Sequence, residues 1–124
     1  QEKIMQIQMI EQETNYLNEQ LKLIDENILE LKNLSESLKE IENNDEIMVN
    51  IGKRIFVPVK IKEKKFFIDV GKENFVKKST GETIKNVNNE AEKLDRNKNE
   101  VLKRLEELEE SIAKMISDFN LKNN

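Results

Sequence analysis

The sequence contains no cysteine and no histidine among its 124 residues. Without cysteine, the chain cannot form a disulfide framework, a thiol nucleophile or a thiolate metal site. Without histidine, it has no imidazole base, no Ser-His-Asp triad and no ordinary zinc site. We therefore expect no catalytic residue, no metal and no cofactor. An enzyme is therefore the least favoured functional class. Pairs of opposite charge such as Glu100 with Arg104 do not change this, because their spacing of four residues indicates surface ion pairs on a helix.

Residues that interrupt regular structure are also scarce. The chain has three Gly, one Pro and no Trp, and aromatic residues make up 5%. No apolar run is long enough to cross a membrane, and no charged segment followed by an apolar one indicates a signal peptide. We therefore expect a soluble, cytoplasmic protein. Charged residues make up 37%, which is typical of long helices rich in Glu, Lys, Leu and Ile.

Charge is distributed unevenly along the chain. Residues 1–46 hold four basic and twelve acidic side chains, residues 47–80 hold nine and three, and residues 81–124 hold eight and ten. A basic middle between acidic flanks does not favour nucleic acid, which requires a clustered basic face without acidic neighbours. The four phenylalanines between positions 56 and 75 could stack on RNA bases. They alternate with aliphatic residues, however, and we interpret them as the inner face of a sheet.

Apolar residues recur at steps of three and four in residues 1–43. Steps that average 3.5 residues indicate the seam of a coiled coil. Eight of the ten positions in the series are Leu or Ile, and the series is Ile7, Ile10, Thr14, Leu17, Leu21, Ile24, Ile28, Leu31, Ser35 and Leu38. We predict one long helix that ends near Asn43-Asn44-Asp45, because these residues favour turns over helix.

A second series with the same spacing predicts a second helix of similar length over residues 81–122. Its positions are Ile84, Val87, Ala91, Leu94, Lys98, Val101, Leu105, Leu108, Ile112, Met115 and Phe119. Ser79 and Glu82 precede it in the pattern of a capping box, in which the hydroxyl accepts from a free helix N–H and the carboxylate reaches back.

The matching lengths favour an antiparallel hairpin of the two helices within one chain. In that register Ile7 faces Phe119. Lys98 enters the seam, and we expect its amine to extend towards Glu26 and Glu30, so that this polar position fixes the register. The alternative is a parallel zipper between two chains, which would leave the middle of the sequence without support.

Residues 46–79 change to β-branched and aromatic runs of strand length. Residues 51–57 resemble residues 70–76, with Gly, Lys, Phe and Val recurring at a spacing of 19. Each of these two segments predicts a β-hairpin whose turn contains a glycine with a positive φ, Gly52 in the first and Gly71 in the second.

Two hairpins beside a narrow coiled coil cannot bury both faces or satisfy their edges. We therefore predict that they assemble with strands of other chains. Pro58 lacks an N–H, so its strand is an edge or carries a bulge there, and pairing between chains should avoid that point. The predicted assembly residues are Ile47, Val49, Ile51, Ile55, Val57, Val59, Phe66, Ile68, Val70, Phe75 and Val76.

Both ends of the sequence hold more apolar residues than the seam uses, and three of the four Met lie in these ends. Methionine suits adaptable apolar contact, and an exposed apolar surface usually indicates a binding site. The alternative interpretation is ordinary seam residues at fraying helix ends. The predicted contact residues are Ile4, Met5, Ile7, Met9, Ile10, Met115, Ile116, Phe119 and Leu121.

The order helix, two hairpins, helix resembles the prefoldin family, in its alpha class of archaeal type. The resemblance rests on Val-Asn-Ile-Gly-Lys-Arg-Ile-Phe-Val at 49–57 and Phe-Ile-Asp-Val-Gly-Lys-Glu-Asn-Phe-Val-Lys-Lys-Ser at 67–79. The second segment is the more specific part. The doubled hairpin distinguishes the alpha class from beta-class subunits, which have one.

The resemblance implies an α+β fold, a long antiparallel coiled-coil helical hairpin with two β-hairpins at its base. We expect a single prefoldin-like domain over residues 1–124. Its parts are an N-terminal coiled-coil helix (1–43), a double β-hairpin for assembly (46–79) and a C-terminal coiled-coil helix (81–122).

Prefoldins are ATP-independent holdase chaperones whose coiled-coil tips hold unfolded proteins for transfer to a group II chaperonin. The resemblance therefore implies three kinds of partner: beta-class subunits or further copies of this chain, non-native clients, and the chaperonin. The sequence departs from the family pattern at Asn50 and Pro58, so a variant that assembles with itself is an alternative to the hetero-hexamer. The other functional alternative is a structural protein that forms filaments or a scaffold for one specific partner.

Overall fold

The computed structural model of the protein describes residues 2–123. The elements are α1 (Glu2–Asn43), β1 (Glu46–Gly52), β2 (Ile55–Lys60), β3 (Lys65–Asp69), β4 (Phe75–Ser79) and α2 (Thr80–Asn123). β1 pairs with β2 and β3 with β4, both antiparallel, as two separate two-stranded sheets. The predicted α+β fold of two long helices and two β-hairpins is confirmed.

The chain divides into two compact units. The first contains the chain up to Ile28 and from Lys93 onwards, and the second is Leu29–Glu92. Both helices contribute to both units, because each of them runs through the division.

In the first unit, α1 packs against α2 along the seam that the sequence predicts. Every predicted seam position of this unit is buried or half-buried except Phe119, and Leu108 is only 3% exposed. Phe119 is 58% exposed because it lies close to the end of α2, where the facing helix begins and covers it on one side only.

Two ion pairs join the helices of the first unit and show that they run antiparallel. Arg104 forms a fork with the carboxylate of Glu13, with Nε–Oε1 and Nη2–Oε2 distances of 2.9 and 3.1 Å. Arg104 also contacts Glu107 at 3.3 Å. The predicted partner of Arg104, Glu100, is not among its ion pairs in the described residues, since the facing helix offers a bidentate carboxylate instead.

The expected partners of Lys98 are also corrected. Its amine contacts Asp25 Oδ1 at 2.8 Å rather than Glu26 or Glu30. On a helix with 100° between residues, Glu26 and Glu30 lie about 160° around from Ile28, whereas Asp25 lies about 60° around and borders the seam.

These ion pairs shift the ionisation of their members. The hydrogen bond from Arg104 lowers the pKa of the Glu13 carboxyl. The hydrogen bond to Asp25 raises the pKa of the Lys98 amine. Both pairs are therefore held in their charged forms, which suits a role in fixing the helix register.

The start of α2 in the second unit is capped by Ser79. Its hydroxyl accepts a hydrogen bond from the Glu82 N–H at 3.2 Å and donates one to Glu82 Oε1 at 2.9 Å. The predicted cap is confirmed for the hydroxyl, whereas the carboxylate binds that hydroxyl and not a backbone N–H. Thr80 follows directly, 5% exposed, and its hydroxyl has no hydrogen-bond partner among the described residues.

The two hairpin turns have the same backbone conformation. Gly52, Lys53 and Arg54 have φ values of 136°, 48° and 63°, and Gly71, Lys72 and Glu73 have values of 122°, 52° and 62°. In both turns a side-chain oxygen two residues earlier, from Asn50 or Asp69, accepts a hydrogen bond from the glycine N–H at 2.9 Å. The positive φ predicted at each glycine is confirmed.

Candidate functional site

An open apolar groove lies between the start of α1 and the end of α2 in the first unit. It has a volume of about 380 Å³ and is lined by Lys3, Ile4, Ile7, Met115, Ile116 and Phe119. The groove forms because the seam continues to the helix ends while apolar residues beside it, such as Ile4 and Ile116, find no covering layer. We call this the terminal groove.

The terminal groove brings together five of the nine contact residues that the sequence predicts. Of the other four, Leu121 lines a neighbouring shallow depression with Ile116, and Ile10 is half-buried. Met5 and Met9 are 63% and 68% exposed but do not line the groove.

Lys3 is the one groove residue that sequence reasoning did not single out. It is half-buried, so its aliphatic stem adds to the apolar wall while its amine can reach water. The signal available in the sequence was its position one turn before Ile7, since residues four apart share a helix face.

The first hairpin carries the predicted assembly residues on one face. Ile47 lies opposite Val59, and Val49 lies opposite Val57. Ile51 and Ile55 continue the same face towards the turn and are 66% and 60% exposed. Within the described chain this aliphatic face is thus incompletely covered.

The second hairpin divides the predicted assembly residues between its two faces. Phe66, Ile68, Val70 and Val76 share one face, because Ile68 lies opposite Val76 and strand residues alternate. Phe75 lies opposite Asp69 and is therefore on the other face, together with Phe67.

The interpretation of the four phenylalanines as one inner face is therefore wrong for three of them. Phe66 is half-buried on the aliphatic face. Phe56, Phe67 and Phe75 lie on the opposite faces of their hairpins and are 51%, 67% and 61% exposed. Each of these three phenylalanines is an odd number of residues away from the aliphatic residues of the shared face. Because successive side chains of a strand alternate, each one lies on the opposite face.

Residues 10–123 match the model of a protein family described as prefoldin subunit. The chain belongs to the prefoldin family. Prefoldin is a chaperone family and not an enzyme family, so the chain is a prefoldin chaperone subunit. Neither helix of residues 2–123 has a stretch apolar enough to cross a membrane.

Curated relatives support the alpha class of archaeal type. Prefoldin subunit alpha 1 of Methanocaldococcus jannaschii is 32% identical over 103 residues, which cover 77% of this chain and 72% of the relative. Prefoldin subunit alpha of Methanococcus vannielii is 25% identical over 116 residues, which cover 93% and 80%. The predicted membership of the alpha class is confirmed.

The fold also agrees with that of a solved prefoldin. A cryo-EM structure of filamentous PFD from Methanocaldococcus jannaschii superposes with a TM-score of 0.73 over 90% of this chain and 96% of that chain, at 21% sequence identity. This similarity shows that the two chains share the prefoldin fold.

Proposed function

We propose that this prefoldin subunit is part of an ATP-independent holdase chaperone. It assembles through its β-hairpins and binds non-native proteins at the apolar ends of its coiled coil. The observation that carries the proposal is the terminal groove, an open site of about 380 Å³ whose lining is apolar apart from Lys3. Its volume is in the range of sites that accept large apolar groups.

The contact at one groove can be weak and still hold a client. The groove residues are already partly buried, since Ile4, Ile116 and Phe119 are 60%, 51% and 58% exposed. A client side chain can bury only the area that is still exposed, so each contact contributes only part of the free energy of burying a whole side chain. If several copies join through their hairpins, an unfolded chain reaches several grooves at once. Binding at the second groove is then intramolecular, and the affinities combine through effective concentration.

A paired set of variants tests the role of the terminal groove. Ile4→Asn with Ile116→Asn should reduce the suppression of aggregation of a chemically denatured client, measured by light scattering without ATP. The matched control is Leu29→Asn with Leu23→Asn, because these helix residues are also 60% and 51% exposed but lie outside the groove. Equal loss of suppression in both pairs, or full suppression by the groove variant, would contradict the proposal.

The proposed partners are beta-class prefoldin subunits or further copies of this chain, together with non-native clients and a group II chaperonin to which clients pass. We propose a cytoplasmic location for this activity. Native mass spectrometry of the chain alone, with a beta-class subunit and with the chaperonin will show which complexes form. Absence of any complex with the chaperonin would remove the transfer step from the proposal.

A second candidate function is a structural filament. It is favoured by the shared fold with the filamentous PFD of Methanocaldococcus jannaschii and by the incompletely covered hairpin faces. Light scattering coupled to size exclusion separates the two candidates. One discrete mass favours a chaperone assembly, whereas a ladder of masses that grows with concentration favours a filament.

A further inference from the structure

The seam of the coiled coil ends in a layer of two lysines beside the terminal groove. Four residues before Ile7, the next seam position of α1 is Lys3, and three residues after Phe119, the next seam position of α2 is Lys122. Because the helices are antiparallel with Ile7 facing Phe119, Lys3 and Lys122 take facing positions. The apolar seam thus ends in two positive charges, which we call the lysine layer.

The lysine layer has no carboxylate of its own. Neither Lys3 nor Lys122 belongs to an ion pair among the residues that the structure describes. Lys3 has Gln6 and Ile7 at the spacings where a helix neighbour could pair with it. Asp118 lies one turn before Lys122, yet no ion pair joins these two in the described chain. Both amines are therefore available to an anion from outside the chain.

The other basic residues along the seam of the first unit do have carboxylate partners on the facing helix. Lys98 contacts Asp25 at 2.8 Å, and Arg104 holds Glu13 at 2.9 and 3.1 Å. The lysine layer repeats this arrangement without the acidic half. A carboxylate supplied by a bound segment would complete it in the same way.

We infer that the terminal groove prefers non-native segments in which an acidic side chain lies next to a large apolar one. This inference rests on the proposed binding of clients at the groove. The apolar side chain packs against Ile4 and Phe119, and its acidic neighbour reaches the amines of the lysine layer. A carboxylate there relieves the repulsion between two facing positive charges. Lys3 is half-buried, so part of the attraction acts outside bulk water, where it is stronger.

The charge of the rest of α1 limits the class of segment further. Residues 1–46 hold twelve acidic and only four basic side chains, so a long acidic run is repelled. A single acidic residue beside an apolar one reaches the lysine layer without bringing further carboxylates against the helix. A basic residue at the same place adds a third positive charge to the layer. The order of preference is therefore acidic, then neutral, then basic.

Three labelled unfolded peptides test this order. They share one sequence with several phenylalanines, each followed by Asp in the first peptide, Asn in the second and Lys in the third. By fluorescence anisotropy we expect the Asp peptide to bind on the order of threefold more tightly than the Asn peptide, and the Lys peptide to bind most weakly. Raising the salt from about 0.1 to about 1 M should remove most of the difference, because the screening length falls from about 10 to about 3 Å. Equal binding of the Asp and Asn peptides at low salt would overturn the inference.

A pair of double variants assigns the preference to the lysine layer. Lys3→Gln with Lys122→Gln should bind the Asp and Asn peptides equally, with little change for the Asn peptide. Lys103→Gln with Lys114→Gln is the matched control, because it removes the same charge from exposed positions of α2 that do not line the groove. This control should keep the preference for Asp. Survival of the preference in the lysine-layer variant, or its loss in the control, would overturn the inference.

Failure of this inference is distinguishable from failure of the proposed function. If the three peptides bind equally while Ile4→Asn with Ile116→Asn still loses the suppression of aggregation, the charge preference is wrong and the holdase proposal stands. If that groove variant binds the peptides and suppresses aggregation as the wild-type chain does, the client site itself is wrong and the inference falls with it.

Discussion

Leu108 is the residue of the first unit whose truncation should destabilise the coiled coil most. It is 3% exposed, whereas the neighbouring Leu102 on the same helix is 41% exposed. Leu108→Ala removes three carbon atoms from a buried position, and such changes cost about 2–5 kcal/mol. We expect about 2–3 kcal/mol, the low end of that range, because a gap between only two helices opens readily to water.

The predicted change is measurable as a shift in thermal unfolding followed by far-UV circular dichroism. For a chain of this length, about 2–3 kcal/mol lowers Tm by about 10 °C. Protein concentration must be matched, since assembly adds to apparent stability. Leu102→Ala is the control and should cost less than about 1 kcal/mol. Equal shifts for Leu108→Ala and Leu102→Ala would refute the assignment of the seam.

Three further predictions concern single side chains. Glu13→Gln should flatten the loss of stability on acidification. The pKa of Glu13 is lowered from 4.5, so the stability that its carboxylate contributes is present above that pH and is lost as the pH falls through the lower folded-state pKa. Unfolding midpoints measured from above pH 4.5 to below the folded-state pKa, with Glu11→Gln as control, will check this prediction. Glu73→Gly should stabilise by about 0.5–1 kcal/mol in urea unfolding, because the left-handed φ of 62° is costly for a residue with a Cβ; a similar gain for Glu73→Ala would contradict this reason. Thr80→Val should stabilise by about 1 kcal/mol by removing the buried hydroxyl without a partner, and Thr80→Ser should not.

The fold could be predicted from the sequence because two periodicities dominate it. Steps of three and four residues set the helix seams, and alternation with a repeat of 19 residues sets the hairpins. Gly52 and Gly71 marked the turns, since few other residues adopt their φ values of 136° and 122°. The sequence identified Lys98 as a polar seam position. Its partner is set by the angle at which an acidic residue lies around α1, and nearness in sequence to Ile28 does not give that angle.

The candidate site was less predictable for a physical reason. A one-residue change of phase moves a strand side chain to the opposite face, so Phe56, Phe67 and Phe75 could not be placed by residue type alone. The groove at the helix ends depends on which apolar side chains find no cover, and that depends on where the facing helix begins. Met5 and Met9 resemble Ile4 in residue type, but they lie about 160° around the helix from Ile7, whereas Ile4 lies about 60° around and shares the groove with it.

The antiparallel pairing of α1 with α2 has a consequence during synthesis. Glu13 binds Arg104, 91 residues later in the chain, and translation at about 5–20 residues per second takes about 5–18 s to cover that distance. During this interval the apolar seam residues of α1 have left the ribosome, but α2, against which they pack, has not yet been made. We therefore expect a protease to cut α1 far faster in chains stalled before residue 98 than in chains released at full length.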